Sequence, residues 1–166
     1  MESMEARMVK LYARNNNHVA LHAIPGHFAT SHSHINFYID MTSLKTRANE
    51  AQEVAKSLAG DYVNSTVVDT IVCMDGTEVV GAYLAQEFEK RGFRNTNLHD
   101  TIYVVTPEYN ANNQLIFRDN TIPAIKGKNV ILLLATTTTG LTVRRSLECV
   151  QYYGGTVRGI SSIFST

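Results

Sequence analysis

The chain has no tryptophan, three prolines, two cysteines and no surplus of charge of either sign. Each scarcity excludes something. Cys73 and Cys149 share no motif spacing, which rules out a disulfide scaffold and a cysteine-built zinc site. Each lies in an apolar run, so both read as buried free thiols in a reducing compartment. Lysine plus arginine equals aspartate plus glutamate, at 15 each, which removes the electrostatic case for a nucleic-acid or membrane surface. No apolar segment has the length to span a bilayer. Residues 1–10 mix acids and bases without the apolar core of a secretory signal. GxGxxG is absent too. Gly76 and Gly81 have P-loop spacing, but Ala82-Tyr83 follows where Lys-Ser/Thr is needed. The expectation is a cytoplasmic protein acting on a small molecule.

What is present fits one domain of 166 residues, 44% of them hydrophobic. A chain of about 150 residues buries roughly 70% of its unfolded surface, enough for a core without staples. Spacing predicts a short helix over residues 2–14, with Met4, Met8, Leu11 and Tyr12 on one face. Residues 15–34 read as irregular, with five of the six histidines, and 35–41 as a short strand. An amphipathic helix is expected over 45–59, stopped by Gly60. A β-branched strand over 67–74 leads to an Asp75-Gly76 turn and a helix capped by Thr77. A strand follows at 101–105. Residues 107–128 are polar and expected to be mobile. A buried strand at 130–135, a helix at 142–153 and a strand at 156–164 complete the chain. This order predicts an α/β fold, a mainly parallel sheet flanked by helices, with ligands at the carboxyl ends of strands.

The segment 129–142 carries the strongest chemical signal. A buried strand runs into Thr136, Thr137, Thr138, Thr139, Gly140, Leu141 and Thr142, and then a helix. Backbone N–H groups at a helix N-terminus attract an anion, and threonine hydroxyls add donors. The alternative is a threonine-rich turn that only caps the helix.

In order and spacing the segment resembles the phosphoribosyl diphosphate (PRPP) motif of type I phosphoribosyltransferases: an apolar strand, two acids, two variable residues, then Thr-Thr-Gly. Thr138, Thr139, Gly140 and Thr142 match its 5′-phosphate loop. The flanks resemble the orotate branch. Ser31-His32 followed by Phe37-Tyr38-Ile39-Asp40 looks like its base-recognition segment. Val68 through Glu78 looks like its strand and pyrophosphate-binding turn. The likeness covers most of residues 20–166. It implies a phosphoribosyltransferase-like domain over 1–166, with a helix and base-recognition hood in 1–40 and a core in 41–166. It also implies transfer of ribose 5-phosphate from PRPP to a pyrimidine-type base, Mg²⁺ as cofactor and a homodimer. The implied roles are Thr136 to Thr142 for the 5′-phosphate, Asp75, Gly76, Thr77 and Glu78 for pyrophosphate, and Ser31, His32 and Tyr38 for the base.

The chain departs from the pattern in three places. The acidic pair would fall at Leu134 and Ala135, the Arg-Lys pair near Thr106-Pro107, and the lysine of the hood at Thr30. Substitutes come from elsewhere. Asp75 and Glu78 can hold Mg²⁺ through water, although Glu78 also suits an ordinary first-turn helix acid. Arg118, in the loop that closes the family's site, reads either as a pyrophosphate ligand or as a solvated charge. Arg144 and Arg145 read either as phosphate contacts or as salt-bridged surface arginines. His18 and His22, or His32 and His34, have the pairing of a zinc site but no further ligand at the right spacing; His32 and His34 can instead meet the substrate. Two functional readings follow. One is an orotate-type transferase with Asp75, Glu78 and Arg118 at its catalytic centre. The other is a regulatory module that kept the cradle and lost the chemistry.

Overall fold

The computed structural model describes residues 3–29, 34–62, 66–92 and 101–165. In chain order the elements are β1 (Val9–Ala13), β2 (Asn16–Ala29), β3 (His34–Asp40), α1 (Thr42–Thr46), α2 (Ala48–Ala59), β4 (Thr70–Cys73), α3 (Glu78–Lys90), β5 (Tyr103–Val105), β6 (Glu108–Tyr109), β7 (Leu115–Ile116), β8 (Asn129–Thr137), α4 (Leu141–Tyr152) and β9 (Thr156–Ser165). Short 3-10 turns occupy Met4–Arg7 and Ile122–Ala124.

The centre is a parallel four-stranded sheet of order β5-β4-β8-β9. β8 is its clearest product of sequence. Val130 to Leu134 are fully buried, because helices cover both faces. Ile131 and Leu133 join a cluster with Ala51, Val54 and Ala55 of α2 and Val80, Leu84 and Phe88 of α3. Val130, Leu132 and Leu134 face the other way, into a cluster with Cys149 and Val150 of α4. The period-two alternation of a strand sorts these residues between two cores. The α/β architecture expected from the order of elements is present.

Three expectations fail and a fourth, the helix over 45–59, holds only in part. The described part of the expected helix, residues 3–14, holds a 3-10 turn and β1 instead. β1 pairs antiparallel with β2, Leu11 opposite Leu21, so a sheet partner overrides the helical spacing of Met8, Leu11 and Tyr12. The stretch expected to be irregular holds the fourteen-residue β2 at Asn16–Ala29, and its residues 30–33 lie outside the described ones. Pro25 and Gly26 did not stop it, because they fall where the β2–β3 register shifts. The polar stretch 107–128 is a β6–β7 hairpin and a 3-10 turn, pinned to the core by Phe117 and Ile125. The helix expected over 45–59 divides at Arg47, whose extended ψ of 120° separates α1 from α2.

Candidate functional site

The site grows from the carboxyl ends of two adjacent parallel strands. β4 and β8 pair with Cys73 opposite Leu133, so the segments that follow them emerge side by side. After β8 the burial ends, the side chains turn to threonine and the chain leaves the sheet. Gly140, the residue before α4, has φ 77° and ψ 3°. That left-handed conformation is costly for a residue with a β-carbon. A β-carbon there would meet nothing within 4 Å, so the space above Gly140 is open.

α4 has no side-chain N-cap. The nearest approach is Leu141 N–H to Thr139 Oγ1, at the loose distance of 3.5 Å. A threonine loop that only capped the helix would spend its hydroxyls on those N–H groups. This one leaves first-turn donors at the positive end of the helix dipole. Thr136 through Val143, with Asp75, line a cavity of about 130 Å³. One liquid water occupies roughly 30 Å³ and a whole small-molecule site roughly 300–1,000 Å³, so this cavity suits one group of a ligand. Thr137 lines it, and its buried Oγ1 has no partner among the described residues.

The neighbouring turn is built differently from its sequence reading. Asp75 and Gly76 are left-handed in succession, with φ 57° and 76°. Thr77 precedes α3, but its hydroxyl does not cap it. It donates to the carbonyls of Met74 (2.8 Å) and Leu133 (3.2 Å), which fastens the turn to β8. The Asp75 carboxylate accepts a hydrogen bond from the Ala135 N–H. Desolvation raises its pKa above the ordinary value, against the pull of Lys45 and of that N–H. Lys45 Nζ donates to the Asp75 carbonyl oxygen at 2.8 Å. Sequence reasoning passed over Lys45. It lies thirty positions from Asp75, on another element, and nothing local marks it.

Glu78 Oε1 accepts from Thr106 Oγ1 at 3.1 Å and lines a different cleft, with Val79, Ala82, Tyr83 and Gln86. Arg118 pairs with Glu108 at 2.6 Å in the β6–β7 region and does not line the threonine cavity. Arg144 pairs with Glu148 along the exposed helix at 3.0 Å, and Arg145 lines a larger cleft of about 440 Å³ with Asn112 to Leu115. Tyr38 is 46% exposed, its ring 5.8 Å from that of Phe28. His34 Nδ1 lies 2.8 Å from His27 Nε2. Thr30, Ser31 and His32 fall outside the described residues. Leu134 is fully buried among apolar neighbours, where an ionised carboxylate would lack solvation.

No three His, Cys, Asp or Glu side chains converge on a metal position among the described residues. Mg²⁺ does not need such a cage. It is commonly held by one or two carboxylates, waters and substrate phosphates, a donor set that Asp75 beside the threonine cavity can join. Among the described residues, no helix is long and apolar enough to cross a membrane.

By sequence, no family model and no curated protein matches the chain. By structure, it is similar to orotate phosphoribosyltransferase of Mycobacterium tuberculosis in complex with Fe(III) dicitrate, at 17% identity over 86% of this chain and 76% of that one, with a TM-score of 0.53. The same enzyme in complex with PRPP gives 14% identity over 75% and 66%, TM-score 0.54. Adenine phosphoribosyltransferase of Saccharomyces cerevisiae gives 16% over 88% and 83%, TM-score 0.61. The chain therefore has the α/β fold that these orotate and adenine phosphoribosyltransferases share.

Proposed function

We propose that the protein is an orotate-type phosphoribosyltransferase, acting as a homodimer in the cytoplasm, with residues 1–166 as one domain. It would transfer ribose 5-phosphate from PRPP to a ring nitrogen of a pyrimidine-type base. The observation that carries this reading is the uncapped, threonine-lined start of α4, opening beside the Asp75-Gly76 turn of the adjacent strand. Thr136 to Thr142 hold the 5′-phosphate. The Asp75–Glu78 turn faces the pyrophosphate. The C1′–O bond breaks and its electron pair leaves with pyrophosphate. The lone pair of the ring nitrogen forms the new C1′–N bond, and the ring N–H proton is lost to solvent. Asp75 stands next to Ala135, where the family's acid is missing, and its carboxylate can face the ribose as positive charge develops. Mg²⁺, held by Asp75 and the substrate phosphates, would neutralise charge on the leaving pyrophosphate. The orotate assignment rests on the Phe37-Tyr38-Ile39-Asp40 segment.

A second reading has its own support. Leu134-Ala135 and Thr106-Pro107 lack the charged groups of the motif, which suits a module that binds PRPP or a nucleotide without turnover. One assay separates the two. Protein, Mg²⁺ and PRPP are mixed with a panel of bases that includes orotate and adenine, and released pyrophosphate is measured. Turnover with a pyrimidine supports the first reading. Turnover with adenine alone corrects the base. Calorimetric binding without turnover selects the second reading, and absence of any phosphate-ligand binding ends both.

A further inference from the structure

Lys45 is the cation that the structure brings to the Asp75-Gly76 turn. It comes from α1, whose Leu44 is buried and fixes the short helix against the core. The Lys45 ammonium donates one hydrogen bond, to the Asp75 carbonyl at 2.8 Å. An ammonium has three donors, and among the described residues the other two have no hydrogen-bond acceptor, although the Asp40 and Asp75 carboxylates both feel its charge. A β-carbon added to Gly76 would stand 3.7 Å from Lys45 Nζ, so the glycine keeps the face of the turn open beneath the charge. The side chain is only partly buried and remains within reach of a ligand.

Asp75 links this charge to the threonine cavity. Asp75 lines that cavity, its carboxylate meets the Ala135 N–H, and its carbonyl holds Lys45. An anion beside Asp75 needs a compensating cation. Arg118 and Arg144 are engaged with Glu108 and Glu148, and Arg145 lines another cleft. We propose that Lys45 binds the diphosphate end of a ligand whose other phosphate sits in the threonine cavity. The proposal rests on the phosphoribosyltransferase reading and assigns its pyrophosphate contact to a residue outside the family motif.

The test uses the full chain and two probes by calorimetry, inorganic pyrophosphate with Mg²⁺ and ribose 5-phosphate. Lys45→Met should weaken pyrophosphate binding about 10- to 100-fold, the range for a hydrogen bond to a charged group, and leave ribose 5-phosphate within about twofold. Lys45→Arg should restore most of the loss. Unchanged pyrophosphate binding in Lys45→Met overturns this assignment while leaving the proposed function standing. Equal loss of both ligands with a lowered Tm makes Lys45 a structural clamp and also overturns it. A wild-type chain that binds ribose 5-phosphate but no pyrophosphate overturns the Lys45 role, and one that binds neither overturns the functional reading with it.

Discussion

At the residue scale the cradle depends on one backbone angle. Gly140 needs its left-handed φ of 77°, and valine is among the residues least tolerant of that region. Because a β-carbon there meets nothing within 4 Å, the cost of Gly140→Val is conformational and not a clash with the protein. We expect a stability loss of about 1–2 kcal/mol by denaturant unfolding. Binding of ribose 5-phosphate should be abolished, because the side chain enters the space above the helix start. Normal binding would move the site elsewhere. Asp75 gives a pH signature. Its folded pKa lies above the ordinary 3.8, so the unfolded chain releases its proton first as pH rises. The folded state then binds more protons, and Asp75 lowers stability from about pH 4 upward. Asp75→Asn should match wild type in Tm near pH 3 and exceed it modestly at pH 7. Transferase activity should fall about 100- to 1,000-fold. A Tm difference largest at pH 3 would contradict the assigned desolvation. The two cysteines stay outside the chemistry, since burial pushes Cys73 up to about 12 and Cys149 up to about 11, which keeps both as unreactive thiols.

At the element scale the informative segment is the hairpin region between β5 and β8. Its composition is polar, yet Phe117 is 3% exposed and sits against Tyr153 of the α4 end, with ring centroids 5.4 Å apart at 82°. Ile125 is completely buried beneath it. Two anchors in a polar stretch are enough to seat it on the second core. Phe117→Ala should cost about 3–5 kcal/mol, measured by urea unfolding. A loss under about 1 kcal/mol would mean that the hairpin contributes little to the core. Arg118 belongs to this seated element and pairs with Glu108 in an exposed contact that solvent screens.

At the scale of the whole molecule, β1–β3 form a separate antiparallel sheet beside the parallel one. It is tied to α2 by Asn16 Nδ2, which donates to Glu53 Oε2 (3.2 Å) and Ser57 Oγ (3.0 Å), and by Val19, which enters the first core. Its outer residues Val9, Leu11, Tyr12 and Phe37 are about half exposed. Exposed apolar side chains grouped on one sheet suit contact with a second copy. We expect light scattering to give twice the monomer mass, and Leu11→Glu to shift it toward the monomer without lowering the yield of folded protein. A monomeric wild type would end the dimer proposal.

The sequence by itself determined the parallel core and the threonine-glycine turn that ends its central strand. Its unbroken apolar run at 130–135 is short enough, and closed by threonines and a glycine, to read as a strand covered on both faces, and Gly140 supplies the left-handed residue that the turn needs. It did not determine the N-terminal sheet, because Leu11 and Tyr12 fit a helix or a strand until β2 supplies backbone partners. It did not place the hairpin, because the four buried residues of 107–128 (Pro107, Phe117, Ala124 and Ile125) are scattered among polar ones without a period. Only the tertiary structure set Asp75 beside Ala135 and Lys45 over Asp75. Those contacts join residues thirty and sixty positions apart, and such pairs form when strands align and helices pack, not from any local pattern.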